Sequence, residues 1–372
     1  MRTCPAGHPC ADLTAWRCPA CRAPWPPPSL AFDPALIDGG SWSLARYAAL
    51  LPVRPAVTLG EGGTPLVPVG GVLAKLEFLA PTGSFKDRGT ALVVSALREH
   101  GVRSVVEDSS GNAGASLAAY AAAAGMRARV FVPEHASPAK KRQIAATGAT
   151  VVEVPGGRGA AGAACRAAAD AEPGVVYASH CWQPAFLAGQ TTVAWELWEQ
   201  LGRRAPGAVV CPVGQGGLLL GLWLGFSALR AAGLVPVLPR LYAVQSAACA
   251  PLARAWAAGS PAPAVVEEGR TLAEGIRTAA PVRGALVLEA LRATGGGAVA
   301  VTDEQIVAAH RELAARGLLV EPTSAAAMAA LPALSLPGPG SDAVSDPVPG
   351  AVPGAVPGPV VVALTGSGLK AL

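Results

Sequence analysis

Residues 81–90 read Pro81-Thr82-Gly83-Ser84-Phe85-Lys86-Asp87-Arg88-Gly89-Thr90, and this stretch decides the fold of the chain. It joins a turn to the apolar run 91–97, which is the pattern of a helix start. Ser84 is predicted to cap that helix by accepting a hydrogen bond from a backbone N–H. The positive end of a helix lowers the pKa of a lysine, so Lys86 is expected to offer a free amine. A Schiff base with an aldehyde requires such an amine, although an ordinary first-turn lysine fits the same local pattern.

Short apolar runs alternate with alanine-rich helical runs after this stretch. The apolar runs predict strands at 104–107, 128–132, 150–154, 174–177, 208–211, 240–244 and 360–364. The helical patterns between them include 113–124, 138–146 and 218–229. A strand at 72–77 and a short helix within 42–51 are expected before the alternation begins. Such alternation predicts an α/β fold, in which helices cover both faces of parallel sheets and ligands bind beyond the carboxyl ends of the strands.

Three loops rich in glycine and hydroxyl residues follow predicted strands. They read Ser109-Ser110-Gly111-Asn112-Ala113-Gly114, Val213-Gly214-Gln215-Gly216-Gly217 and Thr365-Gly366-Ser367-Gly368-Leu369-Lys370. Small residues let backbone N–H groups approach a ligand, and the start of a helix favours an anion. Each loop alone is also ordinary turn chemistry, so the three loops point to a ligand site only in combination.

Together with residues 81–90, these loops resemble the motifs of pyridoxal-phosphate (PLP) enzymes of the tryptophan-synthase-β fold type, also called fold type II. The threonine synthase branch is the most similar. The resemblance covers about residues 60–330 and the last strand, and further landmarks of the family follow in the expected order. It implies two parallel-sheet subdomains with helices on both faces. The smaller subdomain is expected at about 92–190 within a catalytic domain of residues 29–372.

The resemblance also implies a role for each motif around PLP. Lys86 would carry the cofactor and, once freed, act as the general base at the substrate's α-carbon. Asn112 would bond the 3-oxygen, and Thr365 would offer its hydroxyl to the ring nitrogen. The phosphate would lie against the second loop, at Val213, Gly214, Gln215, Gly216 and Gly217. The substrate carboxylate would lie against the first loop, at Ser109, Ser110, Gly111 and Ala113.

The implied activity is that of a PLP-dependent lyase, which converts a small amino acid by β- or γ-elimination or replacement. The threonine synthase reaction, from O-phosphohomoserine to threonine, is the first expectation. Two departures weigh against it, because threonine synthases usually carry threonine at the place of Ala113 and many carry histidine at the place of Ser367. Serine/threonine dehydratases and diaminopropionate lyases keep the same cofactor groups and are the alternative. A non-catalytic binding protein of the same fold is a further alternative, which the intact Lys86 disfavours.

Potential metal ligands crowd residues 1–28, a leader that is otherwise rich in proline and turn residues. Cys18 and Cys21 form a C-x-x-C pair, and two such pairs build a tetrahedral zinc site. The first half of the pattern is irregular, so the ligands are Cys4, Cys18, Cys21 and either Cys10 or His8, with the four cysteines as the first choice. Several threonine-synthase-like proteins carry a zinc-ribbon-like leader of this kind. A leader that has lost its metal, or a pair of reducible thiols, fits the same spacing.

Composition excludes several other classes of protein. The net charge is only +4 and no dense basic run with interleaved aromatic residues occurs, so nucleic acid is not an expected partner. Residues 207–229 are free of charge, but Pro212 and several glycines interrupt them, which favours a strand, a loop and a buried helix over a membrane span. The scattered cysteines indicate a reducing, cytoplasmic setting. We expect a homodimer that binds a small amino acid, and a mobile surface loop at the Pro/Gly-rich residues 331–359.

Overall fold

A computed structural model describes residues 2–12, 14–334, 336 and 358–371 of the chain. The strands of these residues are β1 Arg2–Thr3, β2 Pro9–Cys10, β3 Leu66–Val69, β4 Val72–Lys75, β5 Ser104–Glu107, β6 Arg127–Pro133, β7 Thr150–Val154, β8 Val175–Tyr177, β9 Ala208–Pro212, β10 Arg240–Ser246, β11 Gly297–Val301 and β12 Val360–Ala363. The helices are α1 Lys86–Glu99, α2 Asn112–Ala123, α3 Pro138–Ala145, α4 Arg158–Ala171, α5 Pro184–Gln200, α6 Gly217–Ala231, α7 Pro251–Ala257, α8 Gly284–Ala293, α9 Asp303–Ala315 and α10 Pro322–Ala329. Short 3₁₀ segments lie at Pro34–Leu36, Leu44–Leu50, Glu77–Leu79, Glu274–Ile276, Leu331–Ala333 and Gly368–Ala371.

Two parallel sheets form the body of the molecule. The larger has the strand order β11-β10-β9-β12-β4-β3, and only its edge pair β3–β4 is antiparallel. The smaller has the order β7-β6-β5-β8, and its three pairs are parallel. The central strands β5, β9 and β12 are buried along their whole length, as expected for strands covered by helices on both faces. The α/β fold class predicted from the sequence is therefore confirmed.

Apolar side chains fill the space on both faces of each sheet. One cluster lies where α5 and α6 pack on the larger sheet, and it includes Trp195, Leu219 and Val361. A second cluster joins the opposite face to α9 and α10. A third joins α1 and α2 to the smaller sheet. None of the helices in the described part of the chain combines the length and the hydropathy that crossing a bilayer demands.

In the two larger sheets, two strands escape the sequence pattern for identifiable reasons. β3 contains Pro68, which weakens a strand prediction but is tolerated on the edge of a sheet. β11 begins at the last of three consecutive glycines, 295–297, which indicate a turn when they are considered alone. The helix expected within 42–51 is a 3₁₀ helix over Leu44–Leu50. The predicted loop at 331–359 lies for the most part outside the described residues.

The leader packs on the smaller sheet. Trp16 stacks edge-on against Tyr177 and Trp182, with ring centroids 4.9 and 5.0 Å away. Its neighbours in the same apolar cluster come from β5, β6 and α4. An ion pair between Arg17 and Asp170 of α4 accompanies these contacts. The leader is thus in contact with the catalytic part of the chain, and the boundary at residue 28 stays a prediction.

Candidate active site

A cavity of about 160 Å³ lies beyond the carboxyl ends of β5, β9 and β12. All residues predicted to bind cofactor or substrate, except Val213, line this cavity: Lys86, Ser109, Ser110, Gly111, Asn112, Ala113, Gly214, Gln215, Gly216, Gly217 and Thr365. The lining residues come from segments that are far apart in the chain, and each predicted loop follows a strand. The rule that ligands bind at the carboxyl ends of parallel strands accounts for this convergence.

Lys86 is the first residue of α1, and its side chain is half-buried in the cavity wall. The Nζ atom lies 4.6 Å from the ring centroid of Phe85 and 5.6 Å from that of Phe186. No described residue forms a hydrogen bond or an ion pair with this Nζ. Burial lowers the pKa of Lys86 to about 8, against an opposing effect of Cys181 and Glu107. The direction of the shift is the predicted one, but burial is its main cause.

The lysine segment is held in place by the segment that follows the last strand. Phe85 N donates to Thr365 O over 3.1 Å, and Ser367 N donates to Gly83 O over 2.9 Å. The predicted cap by Ser84 is wrong, because Phe85 occupies the N-cap position and no side chain caps α1. The Ser84 Oγ is buried without a hydrogen-bond partner among the described residues. Backbone contacts to the last strand, rather than a cap, therefore position Lys86.

Asn112 is the first residue of α2 and is fixed by two charged side chains. Its Nδ2 donates to both Glu321 carboxylate oxygens, at 2.9 and 3.2 Å. Its Oδ1 accepts a hydrogen bond from Lys370 Nζ. The loop before it is compact, since a Cβ at Gly114 would lie 1.9 Å from Ser109 O. Ser109 Oγ accepts from Gly111 N over 3.3 Å, and this contact orders the loop that was predicted to receive a carboxylate.

The second glycine loop leads into α6. Gly216 is the N-cap with φ of +84°, and no side chain caps the helix. Backbone N–H groups of an uncapped helix start are donors for an anion, and this start lines the cavity. The structure corrects the predicted phosphate site at Val213. Its side chain packs in the core, its N–H donates to Val244 O over 2.8 Å, and its carbonyl accepts from Gln245 Nε2 over 3.2 Å.

Thr365 follows β12 and is positioned by Ser324 of α10. The two hydroxyl oxygens lie 3.2 Å apart, and Ser324 Oγ also accepts from Thr365 N and Gly366 N at 3.0 and 2.7 Å. Ser367 does not line the cavity. Its Oγ accepts from Leu369 N over 3.3 Å, so the serine at this position belongs to a turn rather than to the cavity wall.

His180 also lines the cavity. Its Nδ1 lies 2.8 Å from Glu107 Oε1, and its Nε2 lies 3.2 Å from Cys181 Sγ. Burial lowers the pKa of His180 and raises that of Glu107. Glu107 ends the predicted strand at 104–107, and His180 follows the predicted strand at 174–177. The rule that located the glycine loops would therefore have found them as well.

The remaining members of residues 81–90 have structural roles. Arg88 is fully buried, and its guanidinium contacts the carboxylates of Glu77 and Glu196 at 2.7 and 2.6 Å. Asp87 accepts hydrogen bonds from Thr82 Oγ1 and Ser116 Oγ, each at 2.6 Å. Arg88 ties α1 to α5, while Asp87 ties it to α2. Together they keep Lys86 at the junction of the two sheets.

The leader gathers four potential metal ligands, at Cys4, His8, Cys18 and Cys21, whose ligand atoms all lie within 4.8 Å of one another. Cys4 Sγ lies 3.6 Å from Cys21 Sγ and 3.3 Å from His8 Nδ1. Cys10, the first choice for the fourth ligand, is outside this group. Its Sγ donates instead to Asp12 O at 3.5 Å. Of the two ligands left open by the sequence, the geometry favours His8.

Comparison with known proteins places the chain in a family. The model of the family described as "Pyridoxal-phosphate dependent enzyme" matches residues 57–344. A threonine synthase of Methanosarcina acetivorans is 36% identical over 301 residues, which are 78% of this chain and 74% of the relative. A threonine synthase of Mycobacterium tuberculosis (strain H37Rv) is 34% identical over 361 residues, which are 94% of this chain and 90% of the relative.

Solved structures agree with the fold. A threonine deaminase of the organism abbreviated T.th. has 30% identity and a TM-score of 0.64, and the match covers 79% of this chain and 86% of that one. Maize serine racemase, at 23% identity, supports the fold alone, with a TM-score of 0.67 over 82% of this chain and 88% of that one. The cavity around Lys86, the family model and these relatives lead to one conclusion: the chain belongs to the family of pyridoxal-phosphate dependent enzymes.

Proposed function

We propose that this enzyme is a lyase of the threonine synthase type, which converts O-phosphohomoserine to threonine by elimination and replacement. The single observation that carries the proposal is the position of Lys86 Nζ. This atom forms no hydrogen bond or ion pair with a described side chain, and it lies in a cavity that residues of all three predicted loops line. When bound, PLP supplies an electron sink for the charge that develops at the substrate's α-carbon. The relatives that are about one-third identical carry the name threonine synthase, which selects this reaction among those of the family.

The donor groups of the cavity fit the chemical groups of PLP. The uncapped start of α6 offers backbone N–H groups to a phosphate. Lys86 offers an amine whose pKa is lowered to about 8, so about a tenth of it is free at pH 7 and about half at pH 8. Asn112 would face the 3-oxygen, and the Thr365 hydroxyl would face the ring nitrogen. Lys86 would hold the cofactor and then move the proton at the α-carbon, while Ser109 and its neighbours would bind the substrate carboxylate.

A dehydratase of serine or threonine is the second candidate, and Ala113 favours it. Ala113 lines the cavity beside Asn112, where its methyl group offers no donor to a substrate phosphate. The 30% identity to a threonine deaminase agrees with this alternative. The two candidates differ in product, because the first releases inorganic phosphate with threonine and the second releases a 2-oxo acid with ammonia.

The test is a panel of amino acids offered to the purified holoenzyme. O-phosphohomoserine, serine, threonine and 2,3-diaminopropionate are each assayed for phosphate, oxo acid and threonine. We expect phosphate and threonine from O-phosphohomoserine. Lys86→Ala and the charge-retaining Lys86→Arg should both lose turnover and the borohydride-reducible cofactor link. Oxo acid formation from serine or threonine alone would establish the dehydratase, and oxo acid formation from 2,3-diaminopropionate alone would establish the diaminopropionate lyase. If no compound is turned over, the protein is a non-catalytic binding protein.

We further propose that Cys4, His8, Cys18 and Cys21 bind a structural zinc ion. A tetrahedral site with Zn–S near 2.3 Å and Zn–N near 2.1 Å places sulfur atoms about 3.8 Å from one another and about 3.6 Å from the nitrogen. The Cys4–Cys21 separation of 3.6 Å and the Cys4–His8 separation of 3.3 Å come within a few tenths of an ångström of these distances. Metal analysis of the wild type should give one zinc per chain. Cys18→Ser with Cys21→Ser should lose it, whereas Cys10→Ser, outside the group, should keep it. Zinc loss in Cys10→Ser would restore the four-cysteine site. The homodimer and the cytoplasmic location stay predictions.

A further inference from the structure

Apart from Lys86, the described charged side chains around the cavity are paired, with one exception. Lys140 forms an ion pair with Glu274, and Glu321 accepts from Asn112. Arg277 pairs through its Nε with Glu268 at 3.0 Å. Arg158 also lines the cavity, but none of the described carboxylates lies within ion-pair distance of its guanidinium. The cavity wall therefore holds a guanidinium that has no ion-pair partner among the described residues.

Arg158 is fixed in place without being neutralised. It is the first residue of α4, which follows β7 of the smaller sheet. Its Nη1 donates to the carbonyl of Arg277 over 3.0 Å, and Arg277 follows the 3₁₀ turn Glu274–Ile276 on the other side of the cavity. One of five guanidinium N–H donors is used in this contact. The other N–H groups of the guanidinium retain the planar arrangement that binds a phosphate or a carboxylate through two hydrogen bonds.

The charge of Arg158 is felt at the reacting end of the cavity. Burial is the main cause of the lowered pKa of Lys86, and the positive charge of Arg158 lowers it further. Burial likewise dominates the lowered pKa of His180, where the charges of Lys86 and Arg158 act in the same direction. The guanidinium is thus close enough to Lys86 to affect it electrostatically, and an anion bound at Arg158 would lie in the same cavity.

A phosphorylated amino acid and PLP bring three anions into such a cavity. The uncapped start of α6 serves the cofactor phosphate, and the loop at Ser109 serves the substrate carboxylate. We infer that Arg158 receives the third anion, a phosphate or comparable anionic group at the end of the substrate's side chain. The inference rests on the proposed function and names its specificity-determining residue. It also supplies the phosphate donor that the Ala113 position lacks.

The test compares two ligands that differ only in the terminal anion, 2-amino-5-phosphonopentanoic acid and norvaline. Their dissociation constants are measured on the holoenzyme from the change in cofactor absorbance, which needs no turnover. We expect the wild type to bind the phosphonate more tightly than norvaline. Arg158→Met should weaken phosphonate binding roughly ten- to a hundredfold, as for a lost charge-assisted hydrogen bond, and leave norvaline binding within about threefold. Arg158→Lys should recover part of the difference.

Arg129→Met is the matched control, because it removes a guanidinium that is paired with Glu172 at 2.8 Å and that does not line the cavity. It should change neither dissociation constant by more than about threefold. Equal binding of the two ligands by the wild type would overturn the inference. So would an Arg158→Met enzyme that loses both ligands alike, which would assign Arg158 to the carboxylate, or that loses PLP itself, which would assign it to the cofactor phosphate. An enzyme that binds the phosphonate through Arg158 yet turns over no amino acid would refute the proposed function and leave the inference standing.

Discussion

Burial sets the reactivity of Lys86. Its pKa of about 8 lies below the ordinary value for lysine because the side chain is desolvated in the cavity wall beside two phenylalanine rings. The amine is protonated below this pKa and free above it. A lowered lysine pKa also means that the unfolded chain holds the proton more tightly. This group therefore makes the fold relatively more stable as the pH rises from about 8 towards 10.5.

The first prediction concerns the pH dependence of cofactor capture. When the apoenzyme is mixed with PLP, the initial rate of capture should rise about tenfold per pH unit below pH 8, because only the free amine reacts, and should level off above it. The absorbance change of the cofactor follows the reaction. N-acetyl-lysine, whose amine is exposed, serves as the control and should level off only near its ordinary pKa of about 10.4. A protein profile that continues to rise to pH 10 would contradict the burial effect.

The second prediction concerns Ala113, whose side chain is 4% exposed. Ala113→Thr should lower turnover of the native substrate several-fold, because the added methyl and hydroxyl groups crowd a closely lined wall and Arg158 already serves the anion. Ala113→Ser adds the hydroxyl without the methyl group and should cost less. Steady-state kinetics with O-phosphohomoserine measure both variants. Faster threonine formation by Ala113→Thr would show that the phosphate lacks a donor at this position.

Single residues were predictable from the sequence where they stand next to a strand end. Asn112 and Thr365 line the cavity for this reason, whereas Lys86 was predictable from its motif at the start of a helix. The partners that fix them were not predictable, because they come from distant parts of the chain. Glu321 lies 209 positions after Asn112, and no local pattern connects the two. The failed cap by Ser84 has the same origin, since a tertiary contact to the last strand replaced a local one.

At the scale of elements, the glycine loop before α6 depends on two properties of Gly216. Its φ of +84° belongs to the left-handed region, and a Cβ there would lie 2.3 Å from Val287 Cγ2. A side chain would thus be strained and would also push α8 away from the helix start. The start of α6 is the proposed binding site of the cofactor phosphate. The close approach of α8 therefore helps to set the position of the backbone N–H groups at the start of α6.

The third prediction follows from this geometry. Gly216→Ala should weaken PLP binding at least tenfold and lower the melting temperature. Gly233→Ala is the matched control, because Gly233 also has a positive φ, at +73°, but open space around its Cβ position. The control should show only the cost of the backbone conformation, about 1 kcal/mol, with unchanged PLP affinity. Equal effects of the two substitutions would show that the contact with Val287 is unimportant.

Element order was predictable because buried strands and alanine-rich helices have distinct periods. The pairing of the strands was not predictable from the sequence. The antiparallel edge formed by β3 and β4 is as apolar as its neighbours apart from Pro68 and Lys75, and the partner of a strand is chosen by the whole sheet. β11 shows the complementary limit, since its glycines concealed a strand that pairs in parallel with β10.

At the scale of the whole molecule, Arg283 joins the leader to the segment that contacts the glycine loop before α6. Its Nη1 donates to Trp25 O over 2.7 Å, while its Nε and Nη2 donate to Cys181 O and Trp182 O over 3.2 and 3.1 Å. The neighbouring Val282 N donates to Gln215 Oε1 over 2.9 Å. The composition of residues 1–28 predicts a separate module, but composition carries no information about such docking. A path of hydrogen bonds therefore leads from the leader to the glycine loop.

The last prediction is that Arg283 couples leader and cofactor. Arg283→Met keeps an apolar stem of similar length but removes three hydrogen bonds to backbone carbonyls, and each such bond contributes about 1 kcal/mol. The melting temperature should therefore fall by several degrees. Arg311→Met, at an exposed position of α9, should change stability by less than about 0.5 kcal/mol.

A double-mutant cycle then separates coupling from simple destabilisation. In the wild-type background, Cys18→Ser with Cys21→Ser should weaken PLP binding, because a loosened leader no longer holds the Trp25 carbonyl against Arg283. In the Arg283→Met background, the same cysteine substitutions should have little further effect on the PLP dissociation constant, since the path is already broken. Additive effects in the cycle, or cysteine variants that bind PLP as tightly as the wild type, would show that the leader is an independent module despite its contacts.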